Sequence, residues 1–216
     1  MTDKPGLNGL LKAGIYGITA SEYSLGRTNM EVVRQMIAAG IKVIQYREKD
    51  KTLREKYNEC LQIRAITRKA GVALIVNDHV DLALMVGADG VHIGQDDLPP
   101  KQVRALVENK MIIGLSTHSP EQARAAVNCG ADYIGVGPIF HTQTKKDVCA
   151  PVGFSYLDYV VGNINIPFVA IGGIKEHNIH EVAKRGARCI ALVTEIVGAD
   201  DIAAKVGALR AAIVLQ

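Results

Sequence analysis

Short apolar runs rich in Val and Ile recur along the chain. Each is followed by a polar or glycine-containing loop and then by a stretch with helical spacing of its apolar positions. The runs are Ile15–Thr19, Ile41–Tyr46, Val72–Val76, Gly90–Ile93, Met111–Leu115, Tyr133–Val136, Phe168–Ile171 and Cys189–Val193. Their near-continuous apolarity is what parallel strands covered on both faces require. Between them, Met30–Ala39, Leu53–Lys69, Lys101–Glu108, Pro120–Asn128 and Asn178–Arg185 have the spacing of amphipathic helices. Gly40, Gly71, Gly87, Gly130 and Gly186 stand just before the next strand, where a left-handed residue commonly closes a helix. The near-repeats Val86-Gly87-Ala88-Asp89-Gly90 and Cys129-Gly130-Ala131-Asp132-Tyr133 use one helix-to-strand solution twice.

Eight strand–helix units in a chain of this length predict an α/β fold, the (β/α)8 TIM barrel, as a single domain over residues 1–216. Residues 1–13 read as an N-terminal extension. The alternative is a doubly wound open sheet, which usually has fewer strands and a Gly-rich fingerprint after the first. Tyr16-Gly17-Ile18-Thr19 is not such a fingerprint.

Composition narrows the function classes. With 216 residues and 48% hydrophobic content the chain can bury a large core. A net charge of +3 gives no case for nucleic-acid binding but is compatible with anionic small substrates. Cys60, Cys129, Cys149 and Cys189 are scattered without a CxxC pair, as in a reduced, cytoplasmic protein, and Cys129 and Cys189 are expected in the core. Met1–Leu11 has the character of neither a signal peptide nor a span, and no run suits a bilayer, so no membrane partner is expected.

In this architecture the active site lies at the C-terminal ends of the strands. After the second run, alternation puts Gln45, Arg47 and Lys49 on one side and Tyr46 and Glu48 on the other. An amide, a guanidinium and an ammonium facing one way would grip a multiply charged anion; a solvated charge run is the bland alternative. Asn77-Asp78-His79 follows the third run and Gly94-Gln95-Asp96-Asp97 the fourth. Carboxylates on neighbouring strand ends converge on a hard cation such as Mg2+, although either Asp would also serve as a helix cap. Ser116 after the fifth run is a candidate phosphate donor, while Ser119 before Pro120 reads as a cap, so the cluster is partly structural. The non-periodic stretch Gly137–Gly153 carries Thr142, Thr144 and Lys145, and is expected to close over an anionic substrate. Gly172-Gly173 after the seventh run and Val193-Thr194 after the eighth stand where barrels bind phosphate through backbone N–H groups. His177 and His180 read as surface residues and His92 as a hydrogen-bonded strand residue. Two anion-binding groups thus face one mouth, which suits two phosphorylated small-molecule substrates.

In order, Gln45-Tyr46-Arg47-Glu48-Lys49, Asn77-Asp78, Gly90-Val91-His92-Ile93-Gly94-Gln95-Asp96-Asp97, Gly114-Leu115-Ser116-Thr117-His118, Gly137-Pro138-Ile139-Phe140-His141-Thr142-Gln143-Thr144-Lys145, Pro151-Val152-Gly153 and Val169-Ala170-Ile171-Gly172-Gly173-Ile174 resemble the thiamine-phosphate synthase family. The resemblance runs from about Tyr16 to the last helix. It implies that Gln45, Arg47, Lys49, Asn77, Ser116 and Lys145 hold hydroxymethylpyrimidine pyrophosphate. It likewise implies Mg2+ on Asp78 and Asp97, and thiazole phosphate on Thr142, Thr144, Gly173, Val193 and Thr194. The implied reaction is dissociative, needs no protein nucleophile, and yields thiamine phosphate and pyrophosphate. Two positions depart from the family pattern: His79 stands for Arg, and Thr194-Glu195 for Ser-Ala. The rival readings are a thiazole tautomerase-like paralogue, a phosphosugar isomerase or epimerase, and a non-catalytic thiamine-phosphate-binding barrel.

Overall fold

A computed structural model describes residues 14–142, 144 and 149–214. The predicted N-terminal extension, residues 1–13, and the expected ligand Lys145 lie outside the described residues. Eight parallel strands close into a barrel in chain order: β1 (Gly14–Ile18), β2 (Val43–Tyr46), β3 (Ala73–Asn77), β4 (Gly90–Ile93), β5 (Ile112–Thr117), β6 (Tyr133–Val136), β7 (Phe168–Ala170) and β8 (Cys189–Leu192). β1 pairs with both β2 and β8, so the sheet has no open edge, and the doubly wound alternative is excluded. The helices Asn29–Ala38, Leu53–Ala70, Val80–Val86, Pro100–Val107, Pro120–Asn128, Gly153–Asn163, Ile179–Lys184, Thr194–Val197 and Ile202–Val214 connect the strands or follow the last.

Local chemistry sets these boundaries. Thr28 and Thr52 each accept from the backbone N–H three residues on, while Glu31 and Glu55 accept from the capping residue's own N–H, a reciprocal cap worth about 1 kcal/mol. All five glycines expected before strands adopt positive φ, between 63° and 98°. Val80–Val86 and Gly153–Asn163 are helices that the spacing of apolar residues did not announce.

Alternate strand residues feed two cores. Val33, Met36, Ile63, Leu74, Ile113, Ile134 and Ile190 fill the layer between strands and helices. Inside the barrel Ile18, Val43, Ile75, Ile112 and Val169 surround two tyrosines, Tyr16 and Tyr133, each 1% exposed. Cys189 is buried inside the barrel as expected, whereas Cys129 is only half-buried at the end of its helix. Among the described residues no helix is long and apolar enough to cross a membrane.

Candidate active site

The end of β2 is held in place from behind. Tyr46 points outward and donates to Glu59 (2.7 Å), and buried Glu48 accepts from the Ser21 N–H (3.0 Å), the Ser21 hydroxyl (2.7 Å) and Asn29 Nδ2 (2.7 Å). Thr19 Oγ1 accepts from the Arg47 N–H (2.9 Å) and donates to its carbonyl (3.3 Å). Tyr46 and Glu48 are engaged on the helix side, and since β2 ends at Tyr46, alternation within the strand places Gln45 on the other. Gln45 lies inside the barrel and donates to the Tyr16 hydroxyl (3.0 Å), and Lys49 Nζ reaches Asp78 at 2.6 Å.

Asn77 is the last residue of β3, and Asp78 follows it with φ +61°, a left-handed conformation that aspartate tolerates better than most residues. Its N–H donates to the His92 carbonyl on β4 (2.8 Å). Asp97 folds its loop back by accepting the Gly94 N–H at 2.6 Å. Neither carboxylate caps a helix, contrary to the bland alternative: the capping positions belong to His79 and Pro99, and neither makes a side-chain cap.

The two carboxylates are close enough to alter each other's ionisation. Burial pushes the Asp78 carboxyl upward, but the hydrogen bond and charge of Lys49 outweigh it, leaving the group below its ordinary value. Burial also raises Asp97; the Gly94 N–H opposes this, the negative charge of Asp78 reinforces it, and the result lies above the ordinary value. Among the described residues no three His, Cys, Asp or Glu side chains gather into a metal cage. Two carboxylates are nonetheless what Mg2+ typically takes from a protein when phosphate oxygens and water complete its shell. The pair therefore fits that ion.

On β5, Ser116 Oγ lies 2.9 Å from His92 Nε2, and its carbonyl accepts from Gln95 Nε2 (2.6 Å). Ser119 caps the following helix as expected, accepting the Gln122 N–H. His79, which departs from the family pattern, is engaged by buried Lys56, whose Nζ donates to its Nε2 (3.1 Å).

The opposite side of the mouth is built from close backbone packing. The loop after β6 runs along the end of β7, with Ile139 N–H donating to the Ile171 carbonyl and Phe140 N–H to that of Gly172, both at 2.9 Å. Gly172 (φ +97°) and Gly173 (φ +64°) must be glycine here. A Cβ on the first would meet Pro138, and one on the second the backbone of Phe140 and His141. Thr142 Oγ1 donates to Thr144 Oγ1 (3.2 Å) in this loop, whose residues 143 and 145–148, the ones that would bear on its closing, lie outside the described residues. Val193 leads into the one-turn helix Thr194–Val197. Lys175 Nζ donates to Thr194 Oγ1 (3.2 Å) and pairs with Glu195 (3.1 Å), which also faces Lys205 (3.7 Å). The carboxylate that departs from the family pattern is thus neutralised by two lysines; their charges, with a backbone N–H, overcome the effect of burial and hold its pKa low.

Most expected residues therefore fall into two groups, one at the ends of β2 to β5 and one at β6 to β8. Sequence reasoning missed Tyr16 and Tyr133, whose hydroxyls meet inside the barrel (3.1 Å), and Lys175. Lys175 had a signal, a cation two residues beyond the Gly-Gly turn.

The model of the family described as thiamine monophosphate synthase matches residues 15–196. A thiamine-phosphate synthase of Pelotomaculum thermopropionicum is 74% identical over 99% of this chain and 98% of its own. One from Lawsonia intracellularis is 56% identical over 95% and 94%. The solved structure of a thiamine phosphate pyrophosphorylase from Pyrococcus furiosus superposes with a TM-score of 0.85 at 36% identity, covering 94% of this chain and 96% of that one.

Proposed function

Given that the chain belongs to the thiamine monophosphate synthase family and is a transferase of thiamine biosynthesis, we propose that it joins hydroxymethylpyrimidine pyrophosphate to thiazole phosphate, or its carboxylated form. The products are thiamine phosphate and pyrophosphate. The observation that carries this reading is the meeting of Asp78, Asp97 and Lys49 at three adjacent strand ends, an arrangement suited to a metal-bound pyrophosphate. Asp78 and Asp97 would hold Mg2+, which when bound supplies positive charge to the pyrophosphate oxygens.

The bond between the pyrimidine methylene and the pyrophosphate oxygen breaks as the pyrimidine amino group releases electron density, and the thiazole nitrogen then captures the methylene. Arg47, Lys49 and Lys145 meet the charge that develops on the departing pyrophosphate, with Ser116 as a neutral donor. Gln45 and Asn77 complete the hold on that substrate. Thr142, Thr144, Gly173, Val193 and Thr194 bind the thiazole phosphate through hydroxyl and backbone groups, and Lys175 adds a cation beside Thr194. No side chain attacks either substrate. The unpaired state of all four cysteines supports a cytoplasmic setting.

The test is to incubate the purified chain with both substrates, with and without Mg2+, and to measure thiamine phosphate. Product that requires Mg2+ is expected. Folded protein that forms none in either condition overturns the reading in favour of a tautomerase-like or purely binding role.

A further inference from the structure

Five side chains from five strands form one hydrogen-bonded chain through the barrel interior. Gln45 Nε2 on β2 lies 3.0 Å from the Tyr16 hydroxyl on β1, which lies 3.1 Å from that of Tyr133 on β6. The Tyr133 hydroxyl is 2.9 Å from His92 Nδ1 on β4, and His92 Nε2 is 2.9 Å from Ser116 Oγ on β5. Room is made for it at Gly114, where a Cβ would collide with the Tyr133 hydroxyl and with His92 Nδ1. The chain begins and ends on two residues assigned to the pyrophosphate substrate.

Each hydroxyl has one hydrogen to give, so the chain has a direction. The Gln45 amide has its NH2 toward Tyr16, and a chain that passes each hydrogen onward sends that of Tyr16 to Tyr133. In that direction the Tyr133 hydrogen goes to His92 Nδ1, which in a neutral ring is then the bare nitrogen. His92 then carries its hydrogen on Nε2 and donates to Ser116, leaving the Ser116 hydrogen for another acceptor. Burial raises the pKa of both phenols above the ordinary tyrosine value, so each keeps the hydrogen that the sequence of bonds needs. In the reverse direction Ser116 would spend its hydrogen on His92 and turn lone pairs toward an anion.

We propose that Tyr16, Tyr133 and His92 are positioning residues that transmit the orientation of the Gln45 amide to Ser116, fixing the serine as a donor to the substrate's pyrophosphate. The part of this that concerns substrate rests on the synthase reading; the direction of the chain does not.

Two measurements on the full chain test it. Nitrogen-15 NMR of the His92 ring in ligand-free wild type should show a neutral imidazole with hydrogen on Nε2, and Tyr133→Phe should release that preference. A hydrogen on Nδ1 in wild type overturns the proposal whether or not the protein is a synthase. The second is a double-mutant cycle in the thiamine phosphate assay. Tyr133→Phe should lower kcat/KM for the pyrophosphate substrate by about tenfold to a hundredfold, the scale of a hydrogen bond to a charged group. In a Ser116→Ala background it should cost almost nothing further. Equal losses in both backgrounds would make Tyr133 merely structural and refute the relay. A wild type that folds but forms no product would refute the synthase reading and the Ser116 role with it, while the NMR result still decides the direction.

Discussion

The two ends of the barrel use the same residue for opposite purposes. At the N-terminal end Asp89 accepts two hydrogen bonds from Arg64 (2.7 and 3.1 Å) and one from the Leu74 N–H (2.8 Å). Asp132 repeats the arrangement, accepting from Arg104 and from the Ile113 N–H (2.8 Å). At the mouth Asp78 and Asp97 oppose each other, with Lys49 on one and a single backbone N–H on the other. A carboxylate surrounded by donors fastens a helix to the next strand. Two carboxylates pressed together, in the proposed reading, keep charge available for Mg2+. Pairing, more than residue type or exposure, separates the structural end from the working end.

Substitutions at each end should break that symmetry in different observables. The largest effect is expected from Asp78→Asn, which keeps the side chain's shape and tolerates the left-handed backbone. Turnover of the two substrates with Mg2+ should fall about 10²–10³-fold, the scale for removing one electrostatic stabiliser. Stability should change by no more than about 1 kcal/mol, since Lys49 is well exposed.

Asp89→Asn should do the reverse. Weakening its hold on Arg64 is expected to cost about 2 kcal/mol, seen as a melting temperature lowered by about 4–8 °C, with kcat/KM of the folded fraction unchanged. A loss of turnover without loss of stability would remove the distinction between the two ends.

The smallest effect concerns the pH dependence of the crowded pair. Asp97's carboxyl titrates above its unfolded value, so its charge opposes folding once the pH has risen through that folded range. Asp97→Asn should therefore raise the melting temperature slightly at neutral pH, besides reducing turnover. The gain should vanish below the usual carboxylate range, where both states hold the proton. Asp78 has the opposite sign: its contribution is present above the unfolded value and is lost as the pH falls through its lowered folded pKa. Melting curves across acid pH would check both.

The barrel was legible because parallel strands buried on both faces leave unbroken Val and Ile runs, and the turn glycines punctuate them. The helix Val80–Val86 escaped because it is apolar nearly all round, and Gly153–Asn163 because aromatic and β-branched residues are weak helix formers. The charged residues at strand ends were visible for the same reason that the strands were: charge ends an apolar run. Tyr16 and Tyr133 were not, since a tyrosine within such a run reads as packing until its hydroxyl is placed. Nor could spacing show that His79 would turn to Lys56, or that Glu195 would meet Lys175 and Lys205.

The most direct test of the central claim is calorimetric titration of inorganic pyrophosphate into wild type, Asp78→Asn and Asp89→Asn, each with and without Mg2+. The account predicts that Mg2+ strengthens binding to wild type and to Asp89→Asn, and that Asp78→Asn loses this dependence. Equal binding to wild type in both conditions, or loss of the dependence in Asp89→Asn as well, would contradict it.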